Sequence, residues 1–156
     1  MEDEMPCKAI RILFLSILII LLLFTSSNAQ NVVRVKRAVD GDTLLLTNGE
    51  RVRLIGVDTP ETKHPQKPVQ RFGKEAYLFT KGMVEGKEVG LEYDWQKRDK
   101  YGRLLAYVYL LDGTFLNAEI IKQGYGFAYT QFPFKYLEEF RGYEREAREN
   151  KRGLWK

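Results

Sequence analysis

Residues 40 to 62, DGDTLLLTNGERVRLIGVDTPET, constrain this chain more than any other stretch. They place one carboxylate at the head of a strand (Asp42), a second at the foot of the next (Asp58), an arginine between them (Arg53) and a glutamate just beyond (Glu61). A half-buried strand repeats every second residue. On that period Asp42, Leu44 and Leu46 share a face of the first strand, and Val52, Leu54, Gly56 and Asp58 a face of the second. Asn48-Gly49 marks the turn. A two-residue type I′ turn sets Leu44 against Arg53. A three-residue loop with Gly49 in the left-handed conformation sets Leu44 against Val52 and Leu46 against Glu50, and this is the preferred register. In either register both aspartates extend an inward-facing apolar row and converge at one end of the core. Strict alternation puts Arg53 on the face opposite Asp58, so its side chain reaches the aspartates only if a twist or bulge near Gly56 brings it round the rim.

Two carboxylates at the rim of a core repel, and burying them unpaired is costly, so they call for a cation. Oxygen ligands without His or Cys suit a hard ion such as Ca²⁺ or Mg²⁺. The plainer alternative is that Asp42 and Glu61 serve only as turn or cap residues.

The rest of the chain supplies a barrel. Residues 32 to 38 alternate as a strand leading into Asp40-Gly41, which with the hairpin makes a three-stranded meander. Residues 62 to 71, TKHPQKPVQR, form a proline-broken loop in which Lys63, His64, Lys67 and Arg71 are either a flap over a phosphate backbone or a solvated basic loop. Phe72, Ala76, Phe79 and Met83 fall at helical spacing and predict a helix over 72–85 with that stripe in the core, ending at Gly86. Val89, Leu91 and Tyr93 mark a fourth strand. Leu104, Ala106, Val108 and Leu110 mark one face of a fifth, closed by Asp112-Gly113. The loop between them, DWQKRDKYG, interleaves basic groups with Tyr101 and suits a terminal phosphate beside a base or sugar. Leu116, Ile120 and Ile121 mark a short helix. Tyr136, Phe140, Tyr143 and Ala147 mark a longer one, with Glu138, Glu139, Arg141, Arg145 and Glu149 on its solvated face. Five strands with a helix after the third describe an OB-type barrel, of class α+β.

Residues 1–29 stand apart. Ile12 to Phe24 is apolar except for Ser16, preceded by Lys8 and Arg11 and followed by small Ser27 and Ala29. As a helix it spans about 20 Å, short of the roughly 30 Å of a bilayer core. Residues 1–29 therefore read as a signal peptide cleaved after Ala29, leaving 30–156 as one secreted or periplasmic domain without stable membrane association. Acidic Glu2, Asp3 and Glu4 keep open the alternative of an uncleaved anchor at 12–24. Cleavage removes the only cysteine, Cys7, so a cysteine nucleophile and a disulfide are both excluded from the mature chain. That chain carries 23 basic against 18 acidic residues, a formal charge of +5, which suits a polyanionic partner.

The segments DGDT, RLIGVDTPETKHP, DKYGR followed by LAYVY, and the terminal GLW, in this order and spacing, resemble the staphylococcal nuclease (thermonuclease) family from about residue 31 to the end. The resemblance implies a five-stranded OB-type barrel with three helices. It also implies a monomeric Ca²⁺-dependent endonuclease that cuts DNA and RNA, with single strands preferred, to leave 3′-phosphate ends. By the same likeness Asp42, Asp58 and the carbonyl of Thr59 are the calcium ligands, Arg53 and Arg103 the charge-stabilising arginines, and Glu61 the general base. Lys100 and Tyr101 match contacts to a terminal phosphate, and Tyr129 the first of two nucleotide-holding tyrosines. Gln131 stands where the second would be and cannot stack as a ring does. Arginine suits its implied role because its planar fork donates bidentately and stays charged. The competing reading is a non-catalytic OB-type module that binds single-stranded nucleic acid.

Overall fold

The computed structural model describes residues 31–62 and 70–156. The apolar leader with Cys7, and Lys63, His64 and Lys67 of the basic loop, lie outside the described residues.

The chain opens with a long strand, β1 (Asn31–Asp40). Val35 and Ala38 are both fully buried although strict alternation forbids it. Val35 pairs with Leu46 and Arg37 with Leu45, so Lys36 is the extra residue of a bulge that shifts the phase between them. β2 (Thr43–Leu46) and β3 (Arg51–Leu54) form the hairpin in the register of the three-residue loop, Leu44 opposite Val52, with Gly49 at φ 87°. β4 (Val57–Asp58), β5 (Glu88–Glu92), β6 (Leu104–Leu110) and β7 (Phe127–Ala128) follow. Five of these close a barrel in the order β1-β2-β3-β6-β5, sealed by a parallel pairing of β3 with β6, while β4 and β7 form a separate two-stranded ribbon. Three α-helices surround it: α1 (Gly73–Val84), α2 (Leu116–Lys122) and α3 (Leu137–Glu149), with a 3-10 turn at Gly153–Trp155. The expected OB-type barrel with three helices is the architecture observed.

Three details differ from the sequence reading. The second hairpin strand does not run unbroken from Val52 to Asp58: it breaks at Ile55-Gly56 into β3 and β4, with Gly56 at φ 72°. Only glycine takes that conformation without strain, and a Cβ here would also lie 2.6 Å from the Phe134 ring. In α1 the fully covered positions are Ala76, Thr80 and Val84, with Phe79 and Met83 packed at the core's edge and Phe72 just outside the helix, stacked on Tyr125. The stripe is rotated because Thr80 turns inward, its hydroxyl donating to the Gly41 carbonyl at 2.6 Å. Finally, β6 is buried on both faces at its centre. Ala106 and Val108 face the barrel, and Tyr107 is equally covered on the other side. There it meets Phe115 and Tyr136 edge-on, under α3.

Asn117 ties this together. It is completely buried at the start of α2, where its Oδ1 accepts from the Val108 amide at 2.9 Å. Its Nδ2 donates to the carbonyls of Ile55 at 2.9 Å and Ala106 at 3.3 Å. One side chain thus joins α2, β6 and the Ile55-Gly56 break. Truncating it strands the Val108 amide and the Ile55 carbonyl in a dry interior. Asn117→Ala is expected to lower unfolding free energy by roughly 2 to 4 kcal/mol, read as a lower urea midpoint with an unchanged slope.

Candidate active site

The break at Ile55-Gly56 creates the site. With a straight strand Arg53 and Asp58 would point to opposite faces; with the chain turned, they meet. Arg53 Nη1 lies 2.7 Å from Asp42 Oδ2 and Nη2 3.2 Å from Asp58 Oδ1. Nη1 also donates to the Val57 carbonyl at 2.8 Å. The break itself is held from outside, by Asn117 on Ile55 and by the Tyr129 amide donating to the Gly56 carbonyl at 2.9 Å. Asp58 is further fixed by the ribbon, in register with Phe127 of β7.

Asp42 sits at the head of β2, where Thr59 closes on it. The Thr59 amide and hydroxyl both donate to Asp42 Oδ2 at 3.1 Å. Gly41 allows this approach, since a Cβ there would fall 2.6 Å from Thr59 Oγ1. Glu61 lies next along the chain. Its carboxyl group lies against that of Asp40, whose Oδ1 accepts from the Gly41 amide and the Thr62 hydroxyl, each at 2.9 Å. Burial, followed by this contact with Glu61, pushes the Asp40 carboxyl above the ordinary carboxylate range. Burial also raises Asp58; the Arg53 guanidinium draws it back and the nearby Asp42 charge pushes it up again.

Asp42 and Asp58 repel each other at a site that one guanidinium only partly neutralises, and the donors present are hard oxygens. Among the described residues no third His, Cys, Asp or Glu side chain joins them. Two carboxylates with the Thr59 carbonyl fit a hard divalent cation that keeps part of its water. The chemistry of the donor set is therefore compatible with the ion the sequence implies.

Arg53 is also the link to a cavity of about 540 Å³. Lys100, Tyr101, Arg103 and Tyr129 line it together with Arg53. Arg103 precedes β6, and the parallel β3–β6 register, with Arg53 opposite Leu105, brings the two arginines to one seam. Arg103 is oriented by Asp99, its Nε donating to Asp99 Oδ2 at 2.6 Å while its amide donates to Oδ1 at 3.0 Å. It also lies over the Tyr101 ring, 5.5 Å from the centroid. Asp42, Arg53 and Asp58 thus form one cluster with Thr59 against it, Glu61 follows two residues on, and Lys100, Tyr101, Arg103 and Tyr129 lie on the cavity wall, whereas Arg71 and Gln131 do not line it.

The two guanidiniums present different edges. Arg53 has both Nη1 hydrogens and one on Nη2 committed to protein oxygens. Among the described residues, Nε and the second Nη2 hydrogen have no acceptor, which leaves a side-on pair of donors. Arg103 has its Nε committed, and its terminal Nη edge is left. Both guanidiniums border the same cavity, and a planar fork of donors suits a tetrahedral oxyanion.

Several residues of the wall were not foreseen. Asp99, Trp95, Phe132 and Phe134 all border the cavity. Asp99 stands four residues before the arginine it holds, a spacing readable on a helix but not in a loop. Trp95 and Phe132 lie in polar loops with no periodicity to assign them.

A family model described as staphylococcal nuclease homologue matches residues 51–156, a segment that contains Arg53, Asp58, Glu61 and Arg103 and starts after Asp42. A thermonuclease of Staphylococcus hyicus is 42% identical over 134 residues, covering 83% of this chain and 79% of its own length. A thermonuclease of Staphylococcus intermedius is 40% identical over 160 aligned residues, covering 92% of this chain and 95% of its own. The endonuclease YncB of Bacillus subtilis is 43% identical over 138 residues, covering 83% of this chain and 65% of its own.

The Asp99 contact makes a stability prediction. Burial works against its charge, but the hydrogen bonds from the Arg103 side chain, the Arg103 amide and the Tyr101 amide outweigh it and hold the carboxyl below its ordinary value. A depressed folded pKa means stability that is fully present above the unfolded value of about 3.9 and is lost as pH falls through the folded one. Asp99→Asn is expected to show its full deficit in urea midpoint at pH 7. The gap should close on acidification below about pH 4, where the unfolded carboxyl protonates.

Proposed function

The chain belongs to the staphylococcal nuclease family, and we propose that it is an exported, Ca²⁺-dependent endonuclease that hydrolyses phosphodiester bonds of DNA and RNA, leaving 3′-phosphate ends. The observation that carries this reading is the placement of Arg53, in contact with two carboxylates on one side and open to a cavity shared with Arg103 on the other. Residues 1–29 are the export signal in this reading, and 30–156 the single catalytic domain, acting as a monomer.

Asp42, Asp58 and the Thr59 carbonyl would hold the cation, which when bound offsets their charge and polarises a phosphoryl oxygen. The scissile phosphate is gripped by the side-on edge of Arg53 and the end-on edge of Arg103. Hydrolysis places extra negative charge on the equatorial phosphorus oxygens, and donors fixed in advance at those positions stabilise it without reorganising. Asp42, Asp58 and the Val57 carbonyl fix Arg53, and Asp99 fixes Arg103, so both grips are set before substrate arrives. Glu61, two residues after Thr59, would take the proton from the attacking water. Lys100 and Tyr101 receive the terminal phosphate, and Tyr129 lies along the nucleotide; Lys100 Nζ is 5.1 Å from the Tyr101 ring centroid.

Plasmid nicking by the chain from Gln30 is expected to require calcium, to stop with chelator and to resume on re-addition. Cutting that persists in chelator would remove the cation from the reaction, and binding to oligonucleotide with no cutting would assign the non-catalytic module instead. Arg103→Ala, on the cavity wall, is expected to lower turnover by about 10²- to 10³-fold, with a loss of stability comparable to that of Asp99→Asn. Arg53→Lys keeps the charge beside the aspartates but loses the planar fork, and is expected to lower turnover by a similar factor.

A further inference from the structure

We propose that Trp95 and Phe132 form a second base-stacking position at the mouth of the cavity, beyond Tyr129, that takes an unpaired nucleobase. The inference rests on the nucleic-acid substrate proposed above. The two rings are 71% and 63% exposed, so the core owes them little, yet both are anchored. Trp95 Nε1 donates to the Pro133 carbonyl at 3.3 Å, and its amide to Asp94 Oδ1 at 2.8 Å. The other oxygen of Asp94 accepts from the Lys135 amide at 2.8 Å and the Tyr107 hydroxyl at 2.6 Å, which pins the loop after β5 to the segment that carries Phe132. Holding an indole by its edge leaves its faces to solvent.

The wall they belong to is shared with Arg53 and Arg103. A flat apolar ring next to fixed guanidiniums complements a ligand that is itself a flat ring on an anionic backbone. At about 540 Å³ the space exceeds what one phosphate fills and lies in the range of nucleotide-sized pockets. The Tyr129 hydroxyl donates to Gln131 Oε1 at 3.0 Å, and the ring of Phe132 lies 6.1 Å from that of Tyr129, so the aromatic surface runs on from one to the other. Bases within a duplex already have both faces covered, so this position selects single strands or frayed ends.

The test is a titration of a short 5′-fluorescein-labelled oligothymidylate with the chain from Gln30 in chelator, with affinity read by anisotropy for every variant and by tryptophan fluorescence for the wild type. Of the two tryptophans, Trp155 is packed against Phe127 and Arg148, so stacking on Trp95 is what quenches. Trp95→Ala and Phe132→Ala are each expected to weaken binding about 5- to 150-fold, the factor corresponding to one stacked base. Phe132→Tyr should restore it, and an abasic strand of equal length should bind wild type and variants alike. Unchanged affinity in both alanine variants, or an equal loss on the abasic strand, overturns the inference. So does a change of association state on Trp95→Ala in sedimentation, which would assign the face to self-association. If the nuclease reading fails, the wild type does not cut the oligonucleotide once calcium is restored. If only this inference fails, the wild type cuts while the variants bind as it does.

Discussion

One guanidinium between two carboxylates is the contact on which the geometry of the site depends. Arg53 and Asp42 are largely shielded from water, with side chains 16% and 12% exposed. Removing a partner from such a pair leaves an uncompensated charge and costs about 3 to 5 kcal/mol, whereas the intact pair is close to neutral for stability. Its value lies in position. Arg53 cannot reach Asp42, Asp58 and the Val57 carbonyl at once unless the chain turns at Ile55-Gly56, so the ion pairs and the break specify each other.

The surrounding fold buttresses that arrangement. Thr80 of α1 supports the turn before Asp42, Asn117 of α2 holds the break, and β7 aligns Asp58 while carrying Tyr129 to the cavity. Two of the helices, α1 and α2, therefore touch the site through a polar side chain, and the ribbon through its backbone pairing. The aromatic layer of Tyr107, Phe115, Tyr136 and Phe140 under α3 gives the segment after residue 130 a firm base, on which Phe132 and Pro133 are displayed.

Much of this was legible in the sequence, because alternation and turn chemistry are local. The hairpin register, the barrel class and the helices follow from where Leu44, Val52, Gly49 and the 3.6-residue stripes fall. The reading failed where two elements compete for one strand face or where a local bend resets the phase. Val35 and Ala38 share the interior only through a bulge, and Tyr107 is buried only because α3 covers β6 from outside. The site was legible as a set of residue types and a spacing, with Arg53 misplaced by strict alternation. Contacts that depend on loops meeting, such as Asp99 with Arg103 or Trp95 with Pro133, leave no periodic trace.

The parallel pairing of β3 with β6 joins residues about fifty positions apart, and each supplies or directly follows one of the two arginines. Pairings between such distant segments form late, because the entropy of closing the intervening chain must be met first. A chain in which this seam has not yet formed therefore lacks the two-sided grip on an anion. The grip is thus a property of the closed barrel and of neither arginine-bearing segment alone.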